Sequence, residues 1–137
     1  MKRLLCLILT LTLLMLVATP VLAAESEVAV TPRYTYIARI YSHLTISNTT
    51  GLSACQAHGY SPTASSVKLT CRLQRLNGST WTTVKTWTTT GTDYVALDKN
   101  YAVAKGYTYR LSVSFSVYNT SGTLLESGIQ YSDRVNY

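Results

Sequence analysis

YTYRLSVSFSVY, from Tyr107 to Tyr118, alternates without a break: Tyr107, Tyr109, Leu111, Val113, Phe115 and Val117 fall on one side of an extended chain, and Thr108, Arg110, Ser112, Ser114 and Ser116 on the other. Successive side chains of a strand point to opposite faces, so this pattern predicts a long strand with one face buried. The same reading turns Val67, Leu69, Cys71 and Leu73 inward and Lys68, Thr70, Arg72 and Gln74 toward water.

Working outward from these two segments, helix formers are sparse, while Thr, Ser, Val and Tyr alternate between clusters of turn residues. Those clusters are Asn48 to Gly51, Asn77 to Ser79, Thr90 to Thr92, Asp98 to Asn100 and Asn119 to Gly122. They predict about seven strands: Ile37 to Ser47, Leu52 to Tyr60, Ser66 to Leu76, Thr80 to Thr90, Asp93 to Leu97, Tyr107 to Tyr118 and Thr123 to Ser132. Asn100 to Lys105 is expected as a helical turn at a corner between sheets. Strands of this length and patterning close most often as a two-sheet antiparallel sandwich, so the fold class is all-β. No internal repeat or low-complexity tract is present.

The chain opens with basic Lys2 and Arg3, an apolar run from Leu4 to Val17, and small residues up to Ala23, the layout of a cleaved signal peptide. The run is shorter than the roughly 20 apolar residues of a spanning helix, and Pro20 interrupts its end. A signal-peptide helix at 1–23, a flexible leader at 24–33 and a β-sandwich domain at 34–137 are the expected divisions, with export to the extracellular space. The residue after the cut is Ala24 rather than Cys, so lipid attachment is not expected.

Of 12 basic residues, Lys2 and Arg3 leave with the signal, so 10 stand against 6 acids, a balance of +4. The basic residues are scattered singly rather than in runs, which argues against nucleic acid as a partner; a salt-sensitive attraction to anionic wall polymers remains open. Cys6 also leaves, and Cys55 and Cys71 remain as an even pair, for which a disulfide is the default in an oxidising compartment. Such a loop would contribute about 3 kcal/mol in the chain-entropy model. Two buried thiols or a metal site are the alternatives. His43 and His58 lack metal-ligand spacing, and neither metal nor cofactor is expected.

The stretch GYTYRLSV, Gly106 to Val113, resembles the start of strand F in immunoglobulin-like domains, where a tyrosine hydroxyl closes the preceding corner; Tyr109 is the expected corner residue. The chain also resembles small uncharacterised secreted proteins of clostridial-type bacteria in Thr31 to Ile37, Trp81 to Trp87 and Tyr101 to Tyr109. That resemblance implies an immunoglobulin-like sandwich and export, and carries over no catalytic or ligand residue.

Trp81, Thr83, Lys85 and Trp87 share one face of a regular strand and Val84 the other, so Trp81, Trp87 and Val84 cannot all point inward. Either the two indoles form an outer platform for sugar rings, or a bulge at Thr82-Thr83 buries one of them. Tyr34, Tyr36 and Tyr41 could extend an aromatic surface, although packing is the commoner use of tyrosine in strands. Three Asn-x-Ser/Thr sequons, at Asn48, Asn77 and Asn119, coincide with turns, and turn chemistry accounts for them.

Asp93, Asp98, Glu126 and Asp133 show no catalytic pairing, and Asp93, Asp98 and Asn100 suit turns and caps better than calcium. The expected function is a secreted, non-catalytic interaction module for carbohydrate or cell-wall polymer. A structural or protein-binding extracellular domain is the alternative, and an enzyme of unknown class comes third. Expected partners are an extracellular glycan or protein, without stable membrane insertion once the signal is removed.

Overall fold

In the computed structural model, residues 34–137 are described; the expected signal peptide and leader lie outside the described residues. Eight strands follow one another: β1 (Arg39–Ile46), β2 (Leu52–Tyr60), β3 (Ser66–Asn77), β4 (Thr80–Gly91), β5 (Tyr94–Ala102), β6 (Thr108–Tyr118), β7 (Leu124–Tyr131) and β8 (Val135–Asn136). They form two antiparallel sheets, one ordered β1-β2-β5 and the other β4-β3-β6-β7, with β8 also pairing β6. No helix occurs among the described residues.

Alternation along β3 and β6 builds half of the core. Leu69 pairs with Phe115, Cys71 with Val113 and Leu73 with Leu111, and all six are fully buried. Leu44 of β1, Cys55 and Ala57 of β2, and Val95 and Leu97 of β5 face them from the smaller sheet. Fully burying one such Val, Leu or Phe side chain is worth about 1.5–3 kcal/mol, so these inward rows dominate the stability of the sandwich. The β3–β4 hairpin turns on Gly78, whose φ of 61° is a left-handed conformation that glycine adopts without strain.

Side-chain hydrogen bonds close the places where backbone pairing stops. The Tyr109 hydroxyl donates to the Ala104 carbonyl at 2.8 Å, tying the loop before β6 to the start of that strand. Between β7 and β8, Ser132 accepts the Leu111 N–H on its Oγ at 2.8 Å and returns its own N–H to the Leu111 carbonyl at 2.9 Å. Before β1, the Glu126 carboxylate on β7 accepts backbone N–H groups from Thr35 (2.7 Å), Tyr36 (3.0 Å) and Ile37 (2.8 Å). The Tyr34 ring meets Phe115 edge-on at 4.9 Å. Gly128 leaves the room for this contact, because a Cβ there would lie 2.7 Å from the Phe115 ring.

Four expectations are corrected. Asp98-Lys99-Asn100 is not a turn, and Asn100 to Lys105 contains no helix: β5 runs on to Ala102, pairing Asp98 with Gln56 and Asn100 with Ala54. Polar residues mark turns only statistically, and on an edge strand facing water they cost little. Tyr107 is 39% exposed rather than inward, since it precedes β6 and lies against the Arg75 guanidinium, 4.3 Å from its ring centre.

The fourth correction concerns Cys55 and Cys71, which are free thiols and not a disulfide. Both are fully buried on the inner faces of opposing sheets. There they pack as small hydrophobes, a role that an even cysteine count cannot distinguish from a crosslink. Burial pushes both thiol pKa values up. Cys71, with Cys55 nearby adding a smaller effect, reaches about 12, while Ser53 partly offsets the rise at Cys55.

Candidate functional site

Pairing between β1, β2 and β5 stacks three rows on the outer face of the smaller sheet. Arg39, Tyr60 and Tyr94 form the first, Tyr41, His58 and Ala96 the second, and His43, Gln56 and Asp98 the third. All are outward positions, since the intervening residues Ser53, Cys55, Ala57, Val95 and Leu97 are buried. Ala96 is the short member of its row, so a hollow opens between the surrounding rings. It measures about 430 Å³ and is lined by Arg39, Tyr41, Gln56, His58, Gly59, Tyr60 and Tyr94.

The rings run in sequence across the groove. Tyr41 and His58 have centroids 5.5 Å apart, and His58 and Tyr94 5.9 Å; His43 stacks on the other side at 6.1 Å from Tyr41. Tyr41, Tyr60 and Tyr94 stay 43%, 43% and 56% exposed. His58 Nε2 lies 3.9 Å from Asp98 Oδ2, an ion pair when the imidazole carries its proton. Arg39 and Gln56 add hydrogen-bonding groups at the wall. The surface thus combines flat apolar faces with donors and acceptors at their edges, the combination that small-ligand sites use for affinity and orientation.

The two tryptophans lie on opposite faces of their sheet. Register shifts between Leu73 and Gln74, which pair with Lys85 and Thr83, so Val84 is the extra residue of a bulge. Past it, Trp87 pairs with Cys71, packs against the core and meets Tyr101 of the other sheet at 6.2 Å. Before it, Trp81 pairs with Leu76 on the outer face. The Arg110 guanidinium lies 4.1 Å above the Trp81 ring and that of Arg134 lies 5.7 Å above it. No platform made of both indoles forms. Tyr34 and Tyr36 are partly buried against the core.

Among the acids, Glu126 is committed to the three backbone donors before β1. Its burial raises its pKa, but the three hydrogen bonds together outweigh that and hold it below the usual carboxylate value. Among the described residues no three His, Cys, Asp or Glu side chains gather as a metal site.

Neither a protein-family model, nor a curated protein, nor a solved structure matches the chain.

His58, Tyr60 and Tyr94 enter the groove although, of its rings, the sequence singled out only Tyr41 as a surface aromatic. A signal for two of them was present. The Asn48 to Gly51 turn sets a hairpin in which Tyr41 falls opposite His58 and Arg39 opposite Tyr60. Tyr94 carried no such signal, because β5 joins β2 from a distance along the chain.

Proposed function

We propose that this protein is a secreted, non-catalytic recognition domain of immunoglobulin-like type that binds a saccharide in the groove over Tyr41, His58 and Tyr94. The observation that carries this reading is the series of three rings across β1, β2 and β5, partly open to solvent and flanked by Arg39 and Gln56. Pyranose rings present apolar C–H faces and equatorial hydroxyls, which match aromatic faces bordered by polar groups. The immunoglobulin-like assignment is supported by the strand orders β1-β2-β5 and β4-β3-β6-β7 of the two sheets, the second with the short β8 added beside β6. The Tyr109–Ala104 bond at the entrance to β6 adds to that support. Export is supported by the amino-terminal sequence alone.

A glycan array followed by calorimetry tests the proposal. A neutral oligosaccharide is expected to bind, and Tyr41→Ala or Tyr94→Ala should each weaken it by about tenfold, the usual effect of removing a central aromatic anchor. Trp87→Phe should leave affinity unchanged, since Trp87 faces the core. Absence of any glycan binding, or full affinity in both tyrosine variants, refutes the assignment.

A further inference from the structure

The outer face of the larger sheet carries a second cluster of chemistry, separate from the groove. Lys68 and Arg72 occupy outward positions of β3, and Arg110 of β6 lies opposite Gln74, two residues further along. At about 3.4 Å per residue these cations are spaced about 14 Å and then 7 Å along the strand direction, with Arg110 one strand over, about 4.8 Å to the side. The β3, β4 and β6 sequences contain no Asp or Glu, and Glu126 of β7 is turned onto Thr35, Tyr36 and Ile37. Among the described residues, no carboxylate lies within ion-pair distance of Lys68, Arg72, Arg110 or Arg134; the one ion-pair contact is His58 with Asp98.

Arg110 is held in an unusual way for a surface arginine. Trp81 lies 4.1 Å and Tyr131 4.2 Å from its guanidinium carbon, and its Nε donates to Gln74 Oε1 at 2.9 Å. Stacking and the Nε bond fix the plane of the group, so the donors left for a ligand are those of its two terminal nitrogens. A guanidinium fixed in this way has already lost its rotamer freedom and meets a carboxylate with two parallel hydrogen bonds.

We propose that this face binds a linear polysaccharide bearing carboxylates, with Arg110 as its anchor and Arg72 and Lys68 continuing the track. The occupant follows from what surrounds the cations. Ser114, Ser116, Thr70, Thr86 and Thr88 pave the middle of the face with hydroxyls, and the exposed apolar Ile129 lies to one side on β7, whereas a protein partner would need apolar anchors at the centre. The Trp81 ring is covered by guanidinium groups rather than free to stack on a nucleobase. Hydroxyls beside spaced cations match a chain of sugars whose acids recur at intervals.

Titration of the full chain with polygalacturonate tests this, with dextran as the uncharged control and inorganic polyphosphate as the phosphate arm. Polygalacturonate is expected to bind, and to weaken as salt is raised past about 0.1 M, where screening sets in within about 10 Å. Arg110→Lys keeps the charge but loses the planar fork, and should cost about tenfold in affinity. Lys68→Gln changes an exposed side chain without touching the packing, and should cost about threefold. Tyr41→Ala, in the separate groove, should change nothing. If Arg110→Lys does not fold, Lys68→Gln decides alone. Absence of polygalacturonate binding, wild-type affinity in these cation variants, or equally tight binding of polyphosphate overturns the proposal.

Discussion

Glu126→Gln should cost the protein about 2 kcal/mol at neutral pH, and the cost should disappear in acid. One carboxylate oxygen accepts the Thr35 N–H and the other accepts those of Tyr36 and Ile37. Glutamine keeps one accepting oxygen and turns an NH2 group toward a donor, so at least one of the three bonds is lost. Hydrogen bonds to charged groups contribute about 1.5–3 kcal/mol net, and solvent beside the Thr35 bond places the loss near 2 kcal/mol. For a domain of this size that corresponds to a fall in Tm of about 10 °C.

The pH dependence follows from the direction of the shift. The folded pKa of Glu126 lies below its ordinary value of 4.5. Its contribution is therefore fully present above that value and is lost as pH falls through the folded pKa. Urea unfolding of wild type and variant at a series of pH values from 7 downward measures this, and the gap between the two proteins should narrow as pH falls through the folded pKa. Hydrogen exchange at Thr35, Tyr36 and Ile37 should speed up in the variant at pH 7. Equal stability at pH 7, or a gap that stays the same size throughout acidification, would refute the clamp.

Three further outcomes are expected. Gly128→Ala places a Cβ 2.7 Å from the Phe115 ring and 3.0 Å from the Tyr34 hydroxyl; overpacking of this kind costs about 1–3 kcal/mol, to be measured by denaturant unfolding. Tyr109→Phe removes the bond to Ala104 and should lower stability by about 1 kcal/mol with the fold retained, as seen by circular dichroism and chemical denaturation. Cys55 and Cys71 should resist alkylation in the native state, being fully buried with raised pKa values, and both should be labelled at once in denaturant without reductant. Mass spectrometry reads the added alkyl groups, and an unfolded chain that takes none would contradict the free thiols.

Much of the architecture could be read from local pattern. Alternation from Tyr109 to Val117 and from Val67 to Leu73 identified the inner faces of β6 and β3, because an extended chain has no other way to separate apolar from polar side chains. Turn residues located the hairpins at Gly51, Gly78 and Gly122, each with positive φ. The same rule failed at Asp98 to Asn100, where composition resembled a turn but pairing with β2 kept the chain extended. Trp81 and Trp87 posed a conflict that the sequence could state but not resolve. One bulged residue reverses every later side chain, and its position at Val84 depends on the register with β3.

The candidate groove was legible only in part. Strand alternation and the β1–β2 hairpin are enough to bring Arg39, Tyr41, His58 and Tyr60 onto one surface. The anion track needed more, since Trp81, Arg110 and Tyr131 come from three strands and meet only in the assembled sheet.

The order of residues by itself determined where the chain is extended, where it turns and which side of each strand is apolar, because those properties depend on neighbours one to four positions away. Tertiary structure decided which strands lie side by side and hence which outward residues meet. It put Tyr94 beside His58, Glu126 beneath Tyr36, and the two cysteines in the core as thiols. Those choices belong to the packing of two sheets, whose free energy is summed over contacts remote in sequence and leaves no mark at any single position.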